Sequence, residues 1–405
     1  MSVVTVFNGL FSDAGTVIQR VLEQTGYRLV SDQEIVAEAA ALSGMAEGKI
    51  ARAFHAKTSV FNAFSHEKER GIAWLRLAMA KKLLDEERLL FSGFASHLPP
   101  ADIDHILKVC LISEMKERLH VAERAEGFAR KHALRLLHKD DEDRAVWVQT
   151  LKECDDPWSS RLYDLIVPIS KVGVEKSAEL VVEQLGNAAV MVTDSSRSKV
   201  EDFYLAARVQ TVLAGEGHNI QVSARKGTVT LTINKHVIML ERLERELSDI
   251  VSHLDGVKKV EAGVGKAFHK TDIYRKADFA VPSKVLLVDD EREFAQTLSE
   301  RLMMRDMGSA VVYDGESALD LVSEDEPEVM VLDLKMPGID GIEVLRRVKR
   351  EHPEIEVVIL TGHGSEKDRD ICMELGAFAY LHKPVDIDVL SETLRAANEK
   401  IRSAK

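Results

Sequence analysis

Short, nearly uninterrupted apolar runs separated by stretches with apolar residues three and four apart set the pattern of this chain. The first run, Val3-Val4-Thr5-Val6-Phe7, reads as a buried strand, and a polar loop over 8–15 leads into a helical pattern over 16–24. A short strand at 27–30 precedes a helix opened by Asp32, and residues 49–86 read as helical almost throughout. Strands follow at 88–91 and 106–112, then a long charged helix over 116–147, a strand at 162–168 and a helix at 174–185. Strands alternating with helices predict a parallel sheet covered on both faces.

The pattern loosens over 190–200, which reads as a turn-rich joint. Beyond it, a helix at 204–213 leads to strands at 220–224 and 228–233 around Lys226-Gly227, an alternating hairpin. A helix over 239–254 and a strand at 258–262 complete a small α+β module, 203–264. The polar stretch 265–282 reads as a linker. From 283 to 405 the apolar runs return, at 284–288, 329–332, 357–360 and 379–382, predicting a second parallel sheet.

Each run of this last region ends in chemistry. Asp289-Asp290, Asp333, Thr361 and Lys383 stand just past or at the ends of four strands, the edge where open parallel sheets bind ligands. Three carboxylates on one edge repel unless a hard cation neutralises them, and Mg²⁺ takes oxygen ligands. Asp289 and Asp290 are expected to hold that ion, with one oxygen of Asp333 and the backbone carbonyl of Lys335 as further ligands. The other Asp333 oxygen is then a nucleophile for a phosphoryl group. Lys383 is placed to pair with its carboxylate, and Thr361 to hydrogen-bond the arriving oxygens.

On these five positions, in this order, residues 283–405 resemble the response-regulator receiver domain of two-component signalling. The resemblance implies a flavodoxin-like (βα)5 fold with Asp333 as phosphoacceptor, Mg²⁺ as cofactor, and a histidine kinase or phosphotransfer protein as donor. Tyr380, three residues before the lysine, takes the place of the family's aromatic switch, and the resemblance implies that it moves inward once Thr361 is drawn to the new charge. No output module follows in this sequence, so the output is expected to pass to the upstream domains or to a protein partner.

Residues 1–187 resemble the cytidylate-kinase-like branch of the nucleoside monophosphate kinases, a P-loop-kinase-like parallel sheet. The resemblance rests on 27–40 with Asp32, Phe91-Ser92-Gly93-Phe94-Ala95, the lid-like 118–144, and Tyr163-Asp164-Leu165. It implies a nucleotide whose phosphates are clamped by Arg118, Arg124 and Arg144. The phosphate loop departs from the family: G-x-x-x-x-G-K-[ST] is absent, and Asp13 is expected to place a carboxylate where phosphate oxygens belong. Phe94 stands where the family has an arginine, and the charged lid reads equally as a solvated face. A degenerate kinase fold without turnover is the first expectation, and a receiver-regulated cytidylate-like kinase the alternative. Residues 203–264 resemble the BON domain, or serve as a packing or dimerising spacer.

Composition narrows the partners. Net charge is −13 over 405 residues, which argues against general nucleic-acid binding. Three scattered cysteines and no recognisable leader fit a reduced cytoplasm, and no apolar run nears the ~18 residues of a membrane span. A homodimer is left open.

Overall fold

β1 (Val3–Asn8) lies at the centre of a five-stranded parallel sheet with β2 (Arg28–Ser31), β3 (Leu89–Ser92), β4 (Ile106–Ile112) and β5 (Leu165–Pro168), in the order β2-β3-β1-β4-β5. Its residues face both ways into core, which is why no polar alternation shows. Val3 and Phe7 pack with Trp147 and the helix Glu67–Asp85, while Val4 and Val6 pack with the helices Ala14–Thr25 and Val174–Leu185. A second, three-stranded sheet joins β6 (Gln221–Arg225), β7 (Thr228–Ile233) and β8 (Lys259–Val264); β6 and β7 are antiparallel, β7 and β8 parallel.

The structure, a computed structural model, describes residues 2–125, 127–237, 239–268, 274, 276–362 and 364–403. It divides into two compact units. One comprises Met1–Thr58, Glu67–Gly215 and Asn219–Tyr274; the other comprises Ser59–His66, Glu216–His218 and Arg275–Lys405.

Three expected elements differ. The helical stretch over 49–86 is interrupted: a short helix Glu47–Ala51 and a 3-10 turn Arg52–Phe54 precede Ser59–His66, which belongs to the second unit. The left-handed backbone of His66 (φ 46°) separates it from the helix Glu67–Asp85. The charged helix over 116–147 is two helices, Met115–Ala125 and Arg130–Lys152, with Gly127 at φ 68° between them. The joint over 190–200 is largely the start of the helix Asp194–Gly215. There the Thr193 hydroxyl accepts from the Ser196 amide and Ser196 Oγ from the Thr193 amide, so polar residues that resembled a turn form a reciprocal cap.

Beneath the first sheet, His97 is 5% exposed, lies edge-on to Phe7 at 4.5 Å, and shares a 3.1 Å hydrogen bond with the Tyr163 hydroxyl. Burial, then the charges of Lys152 and Arg144, push its pKa down to about 3. A depressed folded pKa means that its stabilising contribution is complete above the unfolded value of ~6.5 and is lost as pH falls towards about 3. Asp32, pushed up to about 6 by burial, has the opposite slope, so total stability hides the effect. Comparison with His97→Gln isolates it. The wild-type advantage should shrink by ~1.4 kcal/mol per pH unit below ~6.5 in denaturant titrations, and a pH-independent difference would contradict this.

In the second unit, β9 (Val285–Val288), β10 (Ser309–Val312), β11 (Val329–Leu332), β12 (Glu356–Thr361) and β13 (Ala379–His382) form a parallel sheet in the order β10-β9-β11-β12-β13. This is the flavodoxin-like order, with its switch point between β9 and β11. Both central strands are buried throughout. The linker expected over 265–282 falls partly outside the described residues, at 269–273 and 275. Its described end is packed: Val281 is buried, and the Asn398 amide reaches the Phe279 and Ala280 carbonyls.

Candidate functional site

The carboxyl ends of β9, β11, β12 and β13 bring together the residues that the sequence singles out. Register makes this unavoidable, because Leu332 pairs with Val288 and Ile359, and Thr361 with His382. Asp289, Asp333 and the more exposed Asp290 offer carboxylate oxygens that all lie within 4.8 Å of one another. Asp289 and Asp333 are 5% and 6% exposed, and Thr361 is fully buried. Lys383 Nζ lies 2.7 Å from Asp289 Oδ2, 2.9 Å from Asp333 Oδ2 and 3.0 Å from Glu291 Oε1.

The electrostatics follow from that crowding. Burial raises the Asp289 pKa against the opposing hydrogen bond from Lys383. Burial pulls the Lys383 ammonium down, but its hydrogen bonds to Asp289, Asp333 and Glu291 outweigh this and leave its pKa raised. Lys383 is therefore a fixed cation clamped on two buried carboxylates. Backbone amides hold the other oxygens: Leu334 donates to Asp333 Oδ1 at 2.7 Å, and Glu291 to Asp289 Oδ1 at 3.0 Å. The Lys335 amide points to Asp333 Oδ1 at 3.4 Å.

The loop after Asp333 is closed by Gly341, whose amide donates to the Leu334 carbonyl at 3.0 Å. A Cβ there would stand 2.2 Å from the Asp333 carbonyl oxygen, so only glycine permits this approach. Tyr380 packs on the core of one sheet face, its hydroxyl directly against Gly364 and without a partner among the described residues. His363, beside the acceptor in sequence, lies outside the described residues.

A cluster of oxygen donors beside one ammonium suits a small hard cation. Asp289, Asp290 and Asp333 would hold it. The expected Lys335 carbonyl is a further donor of the right type. Glu291 escaped the sequence reading. It is exposed at the cap of the helix Arg292–Met303, and only the reach of Lys383 reveals its part.

The N-terminal loop differs from expectation. Asp13 is exposed in a left-handed conformation and makes no side-chain cap. The carboxylate at the loop belongs instead to Asp140, which accepts from the Leu10 amide at 2.9 Å. Of the three arginines expected on phosphates, Arg118 and Arg144 are buried and engaged with Asp140 and Asp141, whereas Arg124 is exposed on its helix. These residues do not fit a nucleotide phosphate as folded. Asp32 accepts from the Phe94 and Ala95 amides at 2.9 and 2.7 Å, and Phe94 stacks on Phe54 at 5.1 Å. Asp140 was hidden in a charged helix that resembled a solvated face.

Two regions of the chain match known families. Residues 285–395 match the response regulator receiver domain, and residues 3–171 match the cytidylate kinase-like family. The transcriptional regulatory protein CpxR of Escherichia coli (strain K12) is 42% identical over 114 residues, covering 28% of this chain and 48% of that protein. CpxR of Shigella flexneri matches equally. The chain thus spans about half the length of the curated relatives it matches. Among solved structures, a response regulator receiver domain protein from Clostridium thermocellum is 31% identical, with a TM-score of 0.29, over 30% of this chain and 98% of that one.

Proposed function

We propose that this chain, a receiver domain joined to a cytidylate-kinase-like unit, is a two-component response regulator that accepts a phosphoryl group on Asp333 from a histidine kinase or phosphotransfer protein. The observation that supports it most is the Lys383 ammonium, held at 2.7–2.9 Å on Asp289 and Asp333 beside a third carboxylate. A carboxylate oxygen of Asp333 attacks phosphorus, the P–N bond of the donor phosphohistidine breaks, and the imidazole leaves with the electron pair. The product is an acyl phosphate on Asp333. Asp289, Asp290 and Asp333, with the Lys335 carbonyl, would hold a divalent cation, which would supply positive charge against the incoming oxygens. Lys383 then exchanges carboxylate for phosphoryl oxygens, Thr361 donates its hydroxyl, and Tyr380 responds.

The N-terminal unit, in this reading, performs no phosphoryl transfer, and the output passes to the upstream domains or to a protein partner. In this reading the 203–264 module acts as a packing or dimerising spacer. Among the described residues no helix is long and apolar enough to cross a membrane, and a cytoplasmic location fits the free, buried cysteines.

Labelling by acetyl phosphate tests the metal-binding part of this reading. The Asp289→Asn/Asp290→Asn variant should label at least ~100-fold more slowly than wild type in Mg²⁺, since the cation contributes several kcal/mol. Equal rates would contradict it.

A further inference from the structure

The loop that follows β1 is the place where a sheet of this order offers backbone amides to an anion. Here that place already has an anion. Asp140 Oδ2 accepts from the Leu10 amide at 2.9 Å and from Arg144 Nε at 2.8 Å, and Arg118 Nη2 lies 3.7 Å away. Asp140 reaches the loop from the helix Arg130–Lys152, 130 residues further along the chain.

The surrounding groups fix the arrangement. Arg118 donates through Nε to the Leu10 carbonyl at 2.8 Å and pairs with Asp141 at 2.8 Å. Its guanidinium lies so close to Gly9 that a Cβ there would come within 2.8 Å of Cζ. Arg144 lies over the rings of Phe7 and Phe94, at 5.0 and 4.5 Å, so its guanidinium cannot swing away without leaving both. Two guanidinium groups face two carboxylates, and no net charge remains to attract a further anion.

The loop and its arginine also carry two buried polar atoms left unused. Arg144 is 6% exposed and Ser12 is 3% exposed, yet Arg144 Nη1 and Ser12 Oγ are buried and have no hydrogen-bond partner among the described residues. Asp140 takes the Leu10 amide and Arg144 Nε and does not satisfy these two atoms. A tetrahedral oxyanion has more acceptors to offer such a set.

We propose that Asp140 is the resident, intramolecular ligand of the β1–α loop, that it excludes nucleotide polyphosphates from the folded protein, and that removing its charge converts the loop into a pyrophosphate-class site. This deepens the non-catalytic reading of the N-terminal unit given above. It also assigns the exclusion to one side chain. Asp13, the carboxylate that the loop sequence itself suggests, takes no part.

The test titrates the full-length chain with pyrophosphate in metal-free buffer, following heat of binding and melting temperature. Wild type should show neither heat nor a shift. Asp140→Ala and the size-matched Asp140→Asn should each bind one pyrophosphate at least ~10-fold more tightly than wild type, with a raised melting temperature. Wild type binding as tightly as the variants would overturn the proposal, and so would folded variants that gain no binding. Should neither variant fold, the wild-type titration alone decides: a pyrophosphate-dependent rise in its melting temperature refutes exclusion, and none upholds it. Phosphoryl labelling of Asp333, followed in the same preparations, reports on the receiver separately.

Discussion

Asp333→Asn should remain folded and take up no phosphoryl group from acetyl phosphate or from a histidine kinase. The substitution keeps size and shape, so the amide oxygen can still accept from Leu334 N and the loop held by Gly341 can keep its form. What disappears is the nucleophile: an amide has no charged oxygen to attack phosphorus, and its own protons meet Lys383 Nζ, a donor at 2.9 Å. The expected effect is complete loss of labelling with a melting temperature within a few degrees of wild type. Phosphate incorporated at the wild-type rate would show that another residue is the acceptor.

Lys383→Met should have the largest effect on stability among the site residues. In metal-free buffer, Lys383 is the cation that balances Asp289 and Asp333, both nearly buried. Removing one partner from a buried ionic cluster leaves unpaired charge, a loss of ~3–5 kcal/mol. The exposed Glu291 adds little to that figure, since screened pairs contribute weakly. A divalent cation competes for the same carboxylates, so added Mg²⁺ should raise the melting temperature of Lys383→Met by more than that of wild type. Denaturant titrations with and without Mg²⁺ measure both effects. An unchanged metal-free stability would mean that the cluster is not held together by the ammonium.

How much of this was legible beforehand depends on where the information sits. The receiver sheet was legible because its central strands are short, continuously apolar and terminated by the candidate site residues themselves. Val285–Val288 and Val329–Leu332 are examples. Strand β10 was not singled out: Ser309–Val312 is a half-exposed edge strand without a buried run to mark it. The helix starting at Asp194 was obscured because Thr193 and Ser196 form a cap with the same residue types that form turns. The N-terminal site was read least well. Its central carboxylate is distant in sequence, and the spacing of Asp140 and Arg144 on one helix face carries no sign that both turn inward. Local pattern reports which residues a strand delivers; it does not report which distant side chain fills a loop.

The most direct measurement is the position of the phosphoryl group on wild-type protein treated with acetyl phosphate and Mg²⁺, mapped by peptide mass spectrometry after borohydride reduction of the acyl phosphate. The account predicts a single hydroxylamine-sensitive modification at Asp333. A stable phosphate on a hydroxyl or histidine elsewhere, or none on the peptide that carries Asp333, would contradict it.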